Sequence, residues 1–293
     1  MNSKLIPDHI RARLAMPWHI EQQWAWSELG KYLSNIEAAK SEEVFERLKQ
    51  MNAPAYMDIK GALIQVGANT VLRGAAPPGS VLRLNLFGAM VAEGGMCSWG
   101  MYDYEAAIQA ASDNPNVDGV FIRANTGGGE AISGQILHNA IKSSKKAVVV
   151  YAELLASAGV HGTLAADEII AAGPQSRIGS IGTYASIDKE FLTWYQQNVD
   201  DIYADVSPEK NNEFRQYLAG NSDPLRKSIT ENAKIFQQEV RDHRPLGAKA
   251  EDTLKGGMFF ASDAKKRGLV DGTGDLNYAL QRLQANINKR KKI

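Results

Sequence analysis

Val117-Asp118-Gly119-Val120-Phe121-Ile122-Arg123, running on through Ala124 into Asn125-Thr126-Gly127-Gly128-Gly129, is the stretch that decides the fold. The first seven residues read as a short apolar strand, the glycines end it in a turn, and residues 130–144 then read as a helix. On the N-terminal side lie a strand at 81–87 and a helix at 102–112. On the C-terminal side come a strand at 147–151, a helix at 158–166 and a strand at 168–172. Three successive crossover units predict an α/β fold with a mostly parallel sheet. Farther on, 191–199 and 225–240 read as helices separated by a polar loop at 207–212. A strand at 269–270 and a helix at 276–287 close the domain.

Ahead of this core, residues 19–51 are rich in Glu, Lys, Ala and Leu. Trp24, Trp26, Leu29, Tyr32 and Leu33 recur at helical steps, and Ser41 followed by Glu42 and Glu43 reads as a second helix start. Gly67, Gly74, Pro77, Pro78 and Gly79 mark 65–80 as a linker or mobile loop, where self-cleavage is expected. The expected division is an N-terminal helical segment and linker at 1–75 and a core domain at 76–293. The basic run Lys289-Arg290-Lys291-Lys292 reads as a solvated, frayed end, with an interaction tail as the alternative.

The chain has 293 residues, 44% of them hydrophobic, enough to fill a core. Lys and Arg number 33, as do Asp and Glu, so no global charge favours nucleic acid or an anionic membrane. Cys97 is the single cysteine, which excludes an intramolecular disulfide framework and a cysteine metal cluster and fits a reducing compartment. The first 30 residues hold no signal-peptide apolar core, and no window reaches the roughly 18 to 20 apolar residues of a membrane span. A soluble, cytoplasmic protein is expected, needing neither metal nor organic cofactor.

Three glycine-containing turns fall at predicted strand ends, where open α/β sheets build their sites: 125–129, Ala156-Ser157-Ala158-Gly159, and Gly179-Ser180-Ile181-Gly182. The first precedes a helix, so its backbone N–H groups suit an oxyanion or a phosphate. Glu130-Ala131-Ile132 replaces the Lys-Ser/Thr of a P-loop and disfavours a nucleotide. Ser157 has only small neighbours, which leaves its hydroxyl accessible as a nucleophile; the plainer role is a helix N-cap. A serine nucleophile needs a base, either histidine or a desolvated lysine. His161 lies one helical turn beyond Ser157, and composition selects no lysine.

Together these motifs resemble the signal peptide peptidase A family of serine peptidases, particularly its soluble phage branch. The resemblance spans about 81–275. It rests on 117–129, on Ser157-Ala158-Gly159 with Ala165-Ala166-Asp167-Glu168-Ile169, on Ile178-Gly179-Ser180-Ile181-Gly182, and on Ala264-Lys265-Lys266-Arg267-Gly268-Leu269-Val270-Asp271. It implies a Clp-protease/crotonase-like fold of repeated ββα units. Ser157 would be the nucleophile, Lys210 the base, Ser180 the hydroxyl that orients the lysine, and Gly128 and Ala158 the oxyanion N–H donors. Gly127, Gly129 and His161 would line the substrate site. Gly127 stands where the family often has proline, and His161 where it often has an aromatic residue. The implied enzyme is a homo-oligomeric endopeptidase of phage capsid assembly. It would cut scaffold, portal or capsid protein in the host cytoplasm or inside the procapsid. The same motifs also fit a soluble bacterial peptidase that degrades signal peptides, or a non-proteolytic crotonase-like acyl-CoA enzyme or silent shell component.

Overall fold

The computed structural model describes residues 18–20, 50, 52–65, 67–94 and 99–292. Its elements begin with β1 (Trp18–Ile20), β2 (Ala55–Met57), β3 (Leu63–Ile64), α1 (Ala68–Leu72), β4 (Ser80–Phe87) and α2 (Met101–Asp113). The central run is β5 (Val117–Thr126), β6 (Gly128–Glu130), α3 (Ala131–Ser143), β7 (Ala147–Ala156), α4 (Ala158–Thr163), β8 (Glu168–Ala171) and β9 (Arg177–Gly179). Then follow α5 (Lys189–Asn198), α6 (Asn212–Leu218), α7 (Asp223–His243), α8 (Ala250–Thr253), β10 (Met258–Phe260), α9 (Ala261–Lys266), β11 (Gly272–Thr273) and α10 (Leu276–Arg290).

The main sheet runs β10-β9-β7-β5-β4-β2-β3, with β8 also on β7 and β11 on β8. β4, β5, β7, β8 and β9 pair in parallel, while β2, β3 and β10 are antiparallel additions. β7 forks: Val149–Ala152 pairs with β8, and Leu154–Ala156 pairs with β9. The fork falls at Glu153, and Ala156, the residue before Ser157, is still paired with Gly179 of β9.

Both faces of the parallel strands are covered, which is why they read as continuous apolar runs. Alternate residues go to opposite sides. Leu82, Leu84, Val120, Ile122, Val148 and Val150 pack with Tyr104, Ile108, Leu137 and Phe236 of the helices on one face. Val81, Phe121, Val149 and Tyr151 pack on the other against Leu280, Leu283 and Ile287 of α10. Burying each such side chain contributes roughly 1.5–3 kcal/mol. Gly119 lets α10 lie close, because a Cβ there would stand 3.0 Å from Ile287 Cδ1 and 3.1 Å from Leu283 Cδ1.

Several expectations shift. β2 and β3, within 1–75, hydrogen-bond into the same sheet as β4. His19 and Ile20 are extended, not helical; the remaining helices expected over 19–51 lie outside the described residues apart from helical Gln50. The expected linker at 65–80 contains α1 and is fastened, with Asn114 Nδ2 donating to Gly74 O and Asn116 Nδ2 to Ala76 O at 2.9 Å. The closing strand falls at Gly272–Thr273 and not at 269–270. The basic end is partly tied down, since Arg290 pairs with Asp167 at 2.8 Å and Lys291 with Asp118 at 2.9 Å. Among the described residues no helix is long and apolar enough to cross a membrane.

Candidate active site

All three turns singled out in the sequence lie at C-terminal ends of parallel strands. β7 runs into Ser157, which adopts φ 54°, ψ −116° before α4 begins. That conformation is rare for a residue with a Cβ and costs on the order of 1–3 kcal/mol, so the surroundings must enforce it. Ser157 N donates to Gly179 O at 2.9 Å, and Ser180 N donates to Gly257 O at 2.8 Å. Ser180 itself sits at φ 55°. The Ser157 turn and the Ser180 turn are thus laced together through main-chain bonds. The Ser157 hydroxyl lies 3.5 Å from Gly182 O, too far to be held firmly. It makes no cap bond to α4, contrary to the plainer N-cap role.

The glycine turn stands beside it. Thr126, the last residue of β5, pairs with Leu155 of β7, two residues before Ser157. Gly128 is at φ 100°, and its N–H donates to Thr126 Oγ1 at 3.0 Å, while that hydroxyl donates to Gly88 O at 2.7 Å. Gly129 bridges Met90 so closely that a Cβ would run into the Met90 carbonyl. Met90 N donates to Gly128 O and Glu130 N to Met90 O, each at 2.9 Å. Thr126 and Met90 therefore shape the turn, a role that sequence reasoning missed because Thr126 was read only as part of the glycine turn and Met90 belongs to no motif. Gly127 is buried within the same turn. Ala158, fully buried at the first position of α4, has an N–H with no intrahelical acceptor.

His161 is held elsewhere. Its Nε2 is bonded to Glu239 Oε2 on α7, its ring stacks on Phe236 at 4.9 Å between centroids, and His138 lies 6.0 Å away. Burial pushes its imidazole below the usual histidine range, outweighing the pull of Glu239. A neutral imidazole donating to that carboxylate pins α4 to α7. Glu239 was not foreseen.

No hydrogen bond joins Lys210 to Ser157. It lies exposed in the turn before α6, its N–H donating to Ser207 O at 3.1 Å, while Ser157 is 1% exposed. The segment around it is unusual: from Gly182 to Ile235, which spans α5, α6 and the first half of α7, no residue is buried. Phe191 stacks on Trp194 at 5.9 Å, and Arg215 lies over Tyr203 at 4.7 Å.

At the foot of this arm, Arg244 donates to Gly268 O at 2.9 Å and binds Asp271 through two N–H groups at 3.0 and 3.1 Å. Asp271 also accepts from Ile169 N at 2.7 Å. The segment 264–271 is a clamp between α7 and β8.

A sequence profile described as peptidase family S49 matches residues 140–290, just over half of the chain. The chain belongs to peptidase family S49. A Methanocaldococcus jannaschii protein bearing a protease name is 32% identical over 184 residues, 59% of this chain and 57% of that one. Protease 4 of Haemophilus influenzae is 26% identical over 63% of this chain and 31% of its own length. This S49 chain therefore spans less than two thirds of either relative. A solved ClpP1 variant from Listeria monocytogenes aligns with 68% of this chain and 94% of its own, at TM-score 0.44 and 17% identity.

Proposed function

We propose that this S49 chain is a serine endopeptidase with Ser157 as nucleophile, and that Lys210 of a neighbouring copy is the general base. The observation that carries the reading is the enforced backbone of Ser157, at φ 54° and ψ −116°, beside the Gly128 turn. Strained residues of this kind cluster at functional sites. In this reading Ser157 Oγ attacks a peptide carbonyl, the neutral Lys210 amine takes its proton, and Ser180 orients that amine. The N–H groups of Gly128 and Ala158 stabilise the oxyanion once Gly128 is released from Thr126. Gly127 and Gly129 border the substrate. His161 acts at one remove by fixing α4. The reaction as written uses only side chains, backbone N–H groups and water.

Sharing the site between copies is supported by the arm from Gly182 to Ile235. Trp194 is 53% exposed, Ile202 95% and Val206 90%, a surface that calls for a partner. A head-to-tail contact closing into a ring would bring one arm over each neighbouring serine and shelter Lys210 from water, lowering its affinity for a proton. The setting of this reading is maturation of phage capsids, with scaffold, portal or capsid protein as substrate, in the host cytoplasm or procapsid.

A fluorophosphonate probe should label the wild-type protein and not Ser157→Ala; absence of labelling overturns the nucleophile. Ser157→Ala and Lys210→Ala, each inactive alone, should regain part of the activity when dissociated and reassembled together. Mixed rings without hydrolysis overturn the shared site. Co-expression with neighbouring capsid genes, read by mass spectrometry, should show their products cut. Intact products alongside cleaved model peptides would favour peptide clearance.

A further inference from the structure

Ser157 keeps a backbone that a residue with a Cβ rarely adopts, and α4, which follows it, has only six residues, too few to hold a direction by its own hydrogen bonds. The surroundings must hold it. The first link is main-chain: His161 N donates to Ser157 O at 3.0 Å. A peptide unit is planar and trans, so fixing the Ser157 carbonyl also fixes the opposite direction of the Ala158 N–H. The second link is the His161 side chain, 3% exposed, whose Nε2 is bonded to Glu239 Oε2 and whose ring stacks on Phe236, both on α7. From the other side α3 closes in, for a Cβ on Gly134 would stand 2.9 Å from His161 Nδ1 and 3.1 Å from Ala158 O. Stacking on Phe236 leaves the ring free to slide in its plane; the bond to Glu239 fixes it along α7.

We propose that Glu239, acting through His161, is a positioning residue for the peptide unit between Ser157 and Ala158. The proposal rests on the reading of Ser157 as nucleophile and of the Ala158 N–H as oxyanion donor. In this role Glu239 touches neither substrate nor reacting atom. Its carboxylate holds the imidazole, the imidazole holds the single turn of α4, and that turn holds the Ser157 carbonyl. The Ala158 N–H is thereby aimed before a substrate arrives. A donor aimed in advance favours the charge that develops in the transition state over the bound peptide. Losing Glu239 should therefore lower kcat and leave KM nearly unchanged. A role in stability alone would instead lower the folded fraction and leave the turnover of each folded site as it was.

The test uses the full chain and compares wild type with Glu239→Gln, Glu239→Ala, His161→Phe and the His161→Phe/Glu239→Ala double variant. Glutamine keeps an oxygen that can accept from Nε2, alanine removes it, and phenylalanine keeps a ring on Phe236 with nothing to offer Glu239. Per site titrated with a fluorophosphonate, kcat should fall about 10- to 100-fold in Glu239→Ala and in His161→Phe, with KM within about twofold, because the donor is misaimed and not removed. Glu239→Gln should recover most of the loss. The double variant should lose no more than either single one, since both cut the same link. A peptide aldehyde, whose adduct with Ser157 sets a tetrahedral oxygen at the same N–H, should lose affinity by the same factor as kcat. His161→Phe carries the test if Glu239→Ala does not fold. Wild-type kcat per titrated site in these variants, or losses that multiply in the double variant, overturn the positioning role and leave Ser157 standing. A wild-type protein that neither titrates with the probe nor binds the aldehyde overturns the Ser157 reading, and the positioning role with it.

Discussion

The Ser157 turn and the arm that carries Lys210 follow opposite building rules. Ser157 is fixed by main-chain bonds at the C-terminal end of β7, with Gly179 O, the glycine turn and α4 beside it. The arm from Gly182 to Ile235 buries no residue and relies on aromatic contacts such as Tyr195 against Phe214 at 6.1 Å. A strained backbone needs a rigid frame, whereas a group delivered from outside needs reach. If this contrast holds, one region should answer substitutions in stability and the other in activity or assembly.

The largest effects should separate cleanly. Lys210→Ala should lower hydrolysis by about 10²- to 10⁴-fold, the range for losing a general base. Its thermal midpoint should stay put, because an exposed substitution changes stability by no more than about 0.5 kcal/mol. A folded subunit destabilised as much as it is inactivated would break the comparison. Arg244→Leu should do the reverse, costing about 1–3 kcal/mol through the loss of its charge-assisted bonds to Asp271 and Gly268 O. Urea unfolding of both variants reads the difference directly.

The frame was more readable in the sequence than the arm. β4, β5, β7 and β8 announced themselves because strands buried on both faces cannot hide polar residues. The three turns stood out because glycine is needed where Gly128 has φ 100° and where Gly129 meets Met90 O. The three-residue strands β9 and β10 carry too little periodicity to detect, although Gly179 lies in one of them. Proline and glycine at 65–80 suggested a loose linker, since the amides that fasten it, from Asn114 and Asn116, lie 40 residues away in sequence. The helical spacing of tryptophan and leucine near the start could not foresee that Trp18–Ile20 would pair with β6, because strand addition is a tertiary event. Lys210 was reachable only through the family resemblance, as nothing local distinguishes it from other exposed lysines.

A smaller effect tests the arm's surface. Trp194→Ala should leave the isolated subunit within about 0.5 kcal/mol of wild type, the ordinary range for a surface site, because the ring is already half exposed. It should nevertheless weaken assembly several-fold, as measured by sedimentation over a concentration series. A stability loss with unchanged assembly would mean that the ring serves its own subunit.

The smallest effect concerns pH and separates the two regions once more. His138 is 2% exposed on α3, facing His243 edge-on at 4.6 Å, with His161 and Glu239 beyond and Lys142 one turn away; its Nδ1 has no hydrogen-bond partner. Burial pushes its imidazole down to about 4, the attraction of Glu239 recovering only part of the shift. In the unfolded chain the same group titrates near 6.5. Between about pH 6.5 and 4 the unfolded chain therefore binds a proton that the folded chain refuses, so stability falls as the pH falls through this window and is fully present above it. His161, also depressed by burial, adds in the same direction. His138→Phe should flatten part of that slope in thermal unfolding; an unchanged slope would remove His138 as its source. The arm from Gly182 to Ile235 contains no histidine. Its amide exchange, corrected for the intrinsic pH dependence, should stay level from neutral pH down to the onset of carboxylate titration, while the α3–α4–α7 packing loosens.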